Sequence, residues 1–163
     1  MDFSKFDNTN IDLKAIEDAK ANGAGENLET PAGNYVCSIE KMELKETKDG
    51  RPMFSVQLRV IDAGEGATEA VTEYLSHFKT KKPCLFMNRV IYGTKNDANM
   101  IASVLGWLDK LEPLTKPEFK SYSQFNDNVL DIFEEVADSV ELEVTYNPDK
   151  FNSVTINAVY DVE

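Results

Sequence analysis

The stretch Phe78-Lys79-Thr80-Lys81-Lys82-Pro83 places three ammonium groups within four residues of an otherwise acidic chain. Lys41, Lys45, Lys48, Arg51 and Arg59 lie upstream of it, and Arg89 and Lys95 follow. Cations gathered in this way suit contacts to phosphate. Rings beside them would let bases stack, which is worth roughly 1–3 kcal/mol per base. Tyr74 and Phe78 share one parity, whereas Val71 and Leu75 share the other. With Val71 and Leu75 turned inward, Tyr74 and Phe78 make a stacking platform beside Lys79 and Lys81. With the parity reversed, both rings belong to the core. Phe151, in the turn of a later hairpin, is a third candidate ring. The candidate nucleic-acid-binding set is therefore Lys48, Arg51, Arg59, Tyr74, Phe78, Lys79, Lys81, Lys82 and Phe151.

Enzyme chemistry finds less to work with. His77 is the one histidine and has no Cys or carboxylate at metal-ligand spacing. Cys37 and Cys84 lie far apart and form no C-x-x-C pair. Gly64-Glu65-Gly66 lacks the later Gly and Lys of a phosphate loop, and no Ser sits in a G-x-S-x-G setting. The sequence gives no warrant for an enzyme, a metal or another cofactor.

Charge qualifies the binding reading. The 163 residues carry 17 Lys+Arg against 29 Asp+Glu, a net charge of −12. Such acidity argues against nucleic acid when spread evenly, but it is not spread evenly. Residues 34–96 hold ten Lys/Arg against eight acids, whereas residues 97–163 hold four Lys against fourteen acids. A mildly basic middle thus separates acidic ends. No apolar run approaches the ~20 residues that cross a bilayer, and the first residues lack a signal-peptide layout. Two cysteines are too few for a disulfide framework and fit a reducing, cytoplasmic setting.

Secondary structure must position these groups. A short helix is expected from Asn10 to about Lys20, followed by a joint at Asn22-Gly23-Ala24-Gly25, so residues 1–30 form an arm. Tyr35, Cys37 and Ile39 share one parity and Met42 and Leu44 the other, which predicts a long strand bulged near Glu40–Lys41. Lys48-Asp49-Gly50-Arg51-Pro52 is a turn, and Phe54, Val56, Leu58 and Val60 mark the returning strand. A third strand is expected from Val71 to about Lys79. Cys84–Tyr92 reads as a short helix. Asn96 or Asp97 then caps a helix with the stripe Ile101, Val104, Leu105, Leu108 and Leu111, ended by Pro113. Another helix begins at Ser123, with Phe125, Val129, Ile132, Phe133 and Val136 on one face. Val140–Tyr146 and Val154–Tyr160 close the chain as a hairpin around Asn147-Pro148-Asp149-Lys150. Trp107 and Phe133 read as core.

Three strands, a helical insertion over about 83–138 and two strands give the order β-β-β-α-α-β-β over residues 31–163. That order fits a mainly β, five-stranded OB-fold-like Greek-key barrel; an open α+β sheet is the alternative. In an OB-fold the second and third strands and two loops form an oligonucleotide groove.

Pro31-Ala32-Gly33-Asn34-Tyr35, Lys41–Leu44, Lys48-Asp49-Gly50-Arg51-Pro52-Met53 and Leu58-Arg59-Val60-Ile61-Asp62 resemble small phage proteins encoded among replication and recombination genes. The layout is also similar to phage OB-fold single-stranded-DNA-binding proteins. The likeness spans roughly residues 28–112. It implies sequence-independent binding of single-stranded DNA in phage replication or recombination, in the host cytoplasm. The expected partners are single-stranded DNA and, beyond it, phage or host replication and recombination proteins or further copies of the chain; a membrane is not expected. A competing expectation is an acidic protein-binding module that mimics DNA or modulates a host or phage enzyme.

Overall fold

The computed structural model describes residues 2–7, 12–21 and 29–162. Its strands are β1 (Gly33–Glu46), β2 (Pro52–Ala63), β3 (Cys84–Val90), β4 (Val140–Asn147) and β5 (Ser153–Asp161). They form one antiparallel sheet in the order β3-β2-β1-β4-β5. The helices among the described residues are α1 (Leu13–Ala21), α2 (Glu69–Ser76), α3 (Asp97–Asp109) and α4 (Tyr122–Val136), with a 3-10 turn at Phe3–Phe6. The protein is thus an α+β protein on an open five-stranded sheet. No ladder joins β3 to β5, so the expected barrel is not closed, and the open sheet is the architecture found.

Two expected elements exchange identity. The segment expected to be the third strand is α2. Val71, Tyr74, Leu75 and Phe78 fall at i, i+3, i+4 and i+7, one stripe of a helix rather than one face of a strand. Thr68 starts the helix, its hydroxyl accepting from the Val71 amide at 3.4 Å, and Glu69 sits in the positive first turn. Conversely, Cys84–Val90 is β3 and not a helix. Leu85 and Met87 are buried there while Phe86 and Asn88 are exposed, a two-residue period.

The other elements fall close to expectation. β1 carries register shifts against β2 between Val36 and Cys37 and between Ile39 and Lys41. The second is the expected bulge, and it lets Tyr35, Cys37 and Ile39 before it and Met42 after it all point inward. The hairpins β1–β2 and β4–β5 form around the expected turns. α4 begins after Ser121, whose hydroxyl accepts from the Gln124 amide, and packs on β1 through Phe125, Val129, Ile132 and Val136. In α3, Asn96 takes the cap position without a side-chain bond; the Asp97 carboxylate instead accepts from the Gly93 and Thr94 amides. Trp107 is core, as expected, and Phe133 is partly buried against it. The arm's helix forms at Leu13–Ala21 and buries no residue; Asn10 and the joint at Asn22–Gly25 lie outside the described residues. No helix among the described residues is long and apolar enough to cross a membrane.

Gly33 begins β1 at φ +152°, and a Cβ there would lie 2.5 Å from Val71 Cγ2. Only glycine lets α2 lie this close to the strand. Tyr74 adds a second tie, its hydroxyl 2.9 Å from Thr30 Oγ1.

Two ionisable groups on β1 are buried in their neutral forms. Burial pushes the Cys37 thiol up to about 12, with the Cys84 sulfur a lesser cause, and burial likewise raises the Tyr35 phenol. Their folded pKa values exceed the unfolded ones, so the stability they contribute is complete below the unfolded thiol's pKa of about 8.5 and is lost as pH climbs towards 12. The urea midpoint should hold steady to about pH 8 and then fall, at up to about 1.4 kcal/mol per pH unit per group. A midpoint unchanged through about pH 10.5 contradicts this burial.

Candidate nucleic-acid interface

Strand register sets the two faces of the β1–β2–β3 half-sheet. Ile39, Leu58 and Leu85 form one cross-strand row, Met42, Val56 and Met87 the next, and all six are buried. The alternating rows face away from the core: Ser38–Arg59–Cys84, Lys41–Gln57–Phe86, Glu43–Ser55–Asn88 and Lys45–Met53–Val90. Phe86 is 51% exposed midway along β3, the edge strand of this outer face. A phenyl ring that far open to water, held on a paired strand with Lys41 two strands away, is a rigid stacking surface.

Cations lie to one side of it, on β2, β1 and their turn, and Lys41, Lys45, Arg51 and Arg59 each sit in an exposed or half-exposed ion pair. Lys41 and Lys45 flank Glu43 at 3.4 and 3.6 Å, and Arg59 lies 3.4 Å from Glu40. Arg59 also donates through Nη1 to the Lys82 carbonyl at 2.7 Å, which draws the 79–82 run against the end of the face. At the other end, in the β1–β2 turn, Arg51 is 3.0 Å from Asp49, and the Thr47 hydroxyl bonds to the same carboxyl group. Those two contacts, Thr47 first, hold Asp49 below the ordinary carboxylate range. Exposed pairs of this kind are worth about 0.2–1 kcal/mol. An incoming phosphate can therefore replace the carboxylates at small cost.

The candidate residues scatter around this face unequally. Lys48 is exposed in the turn beside Arg51, and Arg59 lies in the outer rows. Lys79 and Lys81 are exposed in the run leading into β3, and Lys82 turns its ammonium to the Phe78 carbonyl at 3.3 Å. The Tyr74–Phe78 platform does not exist. Tyr74 is 8% exposed, Phe78 is partly buried against the core, and the rings meet edge to face with centroids 5.2 Å apart. A helix places i, i+3 and i+4 on one side, so Val71 and Leu75 go inward together with Tyr74 instead of opposing it. Phe151 is 89% exposed but stands across the sheet's opening, its carbonyl accepting from Arg89 Nη1 at 2.8 Å. Sequence reading overlooked Phe86; the alternation of Leu85 and Met87 with Phe86 and Asn88 was the signal that could have found it.

Acids collect elsewhere. A cleft of about 580 Å³ between β1, β4 and the end of α4 is lined by Glu40, Glu134, Asp138 and Glu141 together with Ile39 and Phe133. Among the described residues, no three His, Cys, Asp or Glu side chains are grouped to hold a metal ion.

No protein-family model and no curated protein matches the chain.

Proposed function

We propose that the protein binds single-stranded DNA without sequence preference, on the outer face of β1–β2–β3. The observation that carries this reading is Phe86, a half-exposed ring on the edge strand of a sheet face whose neighbouring strands carry Arg59, Lys41 and Lys45. Along β2 from Pro52 to Arg59 the face runs roughly 23 Å at the usual rise per residue, room for several nucleotides. Cation groups lie at both ends, the β1–β2 turn with Lys48 and Arg51 and the run Lys79–Lys82. The carboxylates of Glu40 and Glu43 keep Arg59, Lys41 and Lys45 oriented until phosphate displaces them.

The strand order supports an OB-like frame for this site. Joining β3 to β5 would close β3-β2-β1-β4-β5 into a five-stranded ring, and OB-folds are partly open barrels that bind on their second and third strands. The resemblance to phage single-strand binders points the same way and suggests a role in phage replication or recombination.

Phe86→Ala tests the placement. It should weaken fluorescence-anisotropy binding of oligo-dT by roughly 5- to 150-fold, the value of one stacked base, while Phe86→Tyr keeps it. Equal affinity of wild type and Phe86→Ala removes the strand from this face.

The acidic cleft favours a second reading, a protein-binding module. Four carboxylates around an apolar floor of Ile39, Phe133 and Val140 suit a basic segment of a partner protein. Failure of oligo-dT to bind at low salt would leave this as the better reading.

A further inference from the structure

The sheet's open seam has a chemistry of its own. β3 and β5 are its unpaired edges, and α3 lies between them. Trp107 bridges the gap, donating its indole N–H to the Val154 carbonyl on β5 at 2.9 Å. Beside it is a cleft of about 340 Å³ lined by Arg89, Lys110, Ser103, Ser153 and Thr155 around the Trp107 ring and smaller apolar groups. No carboxylate lines it. Three other clefts of the described residues carry two, three or four carboxylates apiece. In a chain of net charge −12, a recess with two cations, three hydroxyls and no acid is selective for anions.

Arg89 is anchored for this role. It ends the inner row Leu44–Phe54–Arg89, and its Nη1 donates to the carbonyls of Asn88 and Phe151 at 2.7 and 2.8 Å. Both bonds use one of the three guanidinium nitrogens, and a guanidinium fixed by backbone carbonyls is preorganised for a phosphate. Phe151 stands at the same rim. Its backbone is left-handed at φ +55°, followed by Asn152 at +54°, and its ring is 89% exposed. Both residues lie in the β4–β5 turn closed by the Asn147–Ser153 pair, which sets this backbone and leaves the ring outside the core. A ring left in water on the residue whose carbonyl fixes Arg89 is placed to meet a ligand of the cleft.

We propose that the seam is a nucleotide-binding site, with phosphate held between Arg89 and Lys110 and the base stacked on Phe151. The site is separate from the outer face of β1–β2–β3 and does not depend on it. The nucleotide could be free or a unit of a longer strand, and the test separates the two.

Trp107 is the one tryptophan, so its indole N–H resonance reports the cleft without ambiguity. The full ¹⁵N-labelled chain is titrated with thymidine monophosphate, inorganic phosphate, thymidine and oligo-dT. Thymidine monophosphate should move the indole resonance saturably at concentrations up to about 10 mM. Inorganic phosphate should bind more weakly, and thymidine should leave the resonance still. Lys110→Gln, an exposed position, should weaken thymidine monophosphate about tenfold. Phe151→Ala should weaken it at least about fivefold while sparing inorganic phosphate. An unmoved indole, thymidine acting as strongly as its monophosphate, or unaltered binding in both variants overturns the site. If thymidine monophosphate shifts Trp107 and oligo-dT does not, the seam takes free nucleotide; if both do, it takes a unit of the strand. Oligo-dT bound through Phe86 while neither ligand moves Trp107 sinks the seam alone, whereas nucleotide binding without oligo-dT binding sinks the single-strand reading alone.

Discussion

Replacing Phe54 with alanine lowers the free energy of unfolding by about 3–5 kcal/mol, a large share of what holds a single domain together. Phe54 is fully buried on β2, and its ring meets Trp107 edge to face with centroids 5.9 Å apart. Trp107 in turn holds the Val154 carbonyl of β5. The phenyl group therefore supports α3 against the half-sheet and, through Trp107, spans the seam that no ladder closes. Truncation removes the ring's transfer free energy and leaves a void that the paired strands β1 and β3 on either side cannot collapse to fill. Urea denaturation followed by Trp107 fluorescence measures the loss. A change below about 1 kcal/mol would mean that Phe54 is not central to the core.

The second large effect is on binding. Lys41, Lys45 and Arg59 changed together to Gln should lower oligo-dT affinity at low salt by roughly two to three powers of ten. The slope of log affinity against log salt should become shallower by about 2, at near 0.7 per phosphate neutralised on a single strand. Arg59 also holds the Lys82 carbonyl, so the double change at Lys41 and Lys45 separates binding from local structure. It should make the slope shallower by about 1.4 while lowering stability by no more than about 0.2–1 kcal/mol for each exposed pair. Slopes equal to wild type would show that these cations do not meet phosphate.

Much of this architecture was legible in the sequence where the signal is local. The bulge in β1 announced itself as the change of parity between Ile39 and Met42, and both hairpins were marked by turn residues between alternating strands. The stripes of α3 and α4 repeat at helical spacing and were read as such. The exchange of α2 and β3 came from short segments. Val71, Tyr74, Leu75 and Phe78 divide between two parities, which fits a strand of undecided face, yet their i, i+3, i+4, i+7 spacing fits a helix as well. A strand over 71–79 makes Tyr74 and Phe78 ligand contacts, and a helix over 84–92 conceals Phe86, which only the seven-residue strand exposes. Whether β3 would meet β5 was not legible, since the pairing of distant edges depends on how the bulged β1 coils the sheet and on Trp107 occupying the gap. The grouping of cations in residues 41–59 and 79–82 is a matter of sequence, and only their Glu40, Glu43 and Asp49 partners needed the fold.

The central claim is that an acidic protein presents one cationic, aromatic face to a single strand. Titration of the full chain with labelled oligo-dT and with a duplex of equal length, across a salt series, tests it most directly. The account predicts tighter binding of the single strand at low salt, with log affinity falling linearly as log salt rises. Equal affinity for both, or no binding of either at about 50 mM salt, would contradict it.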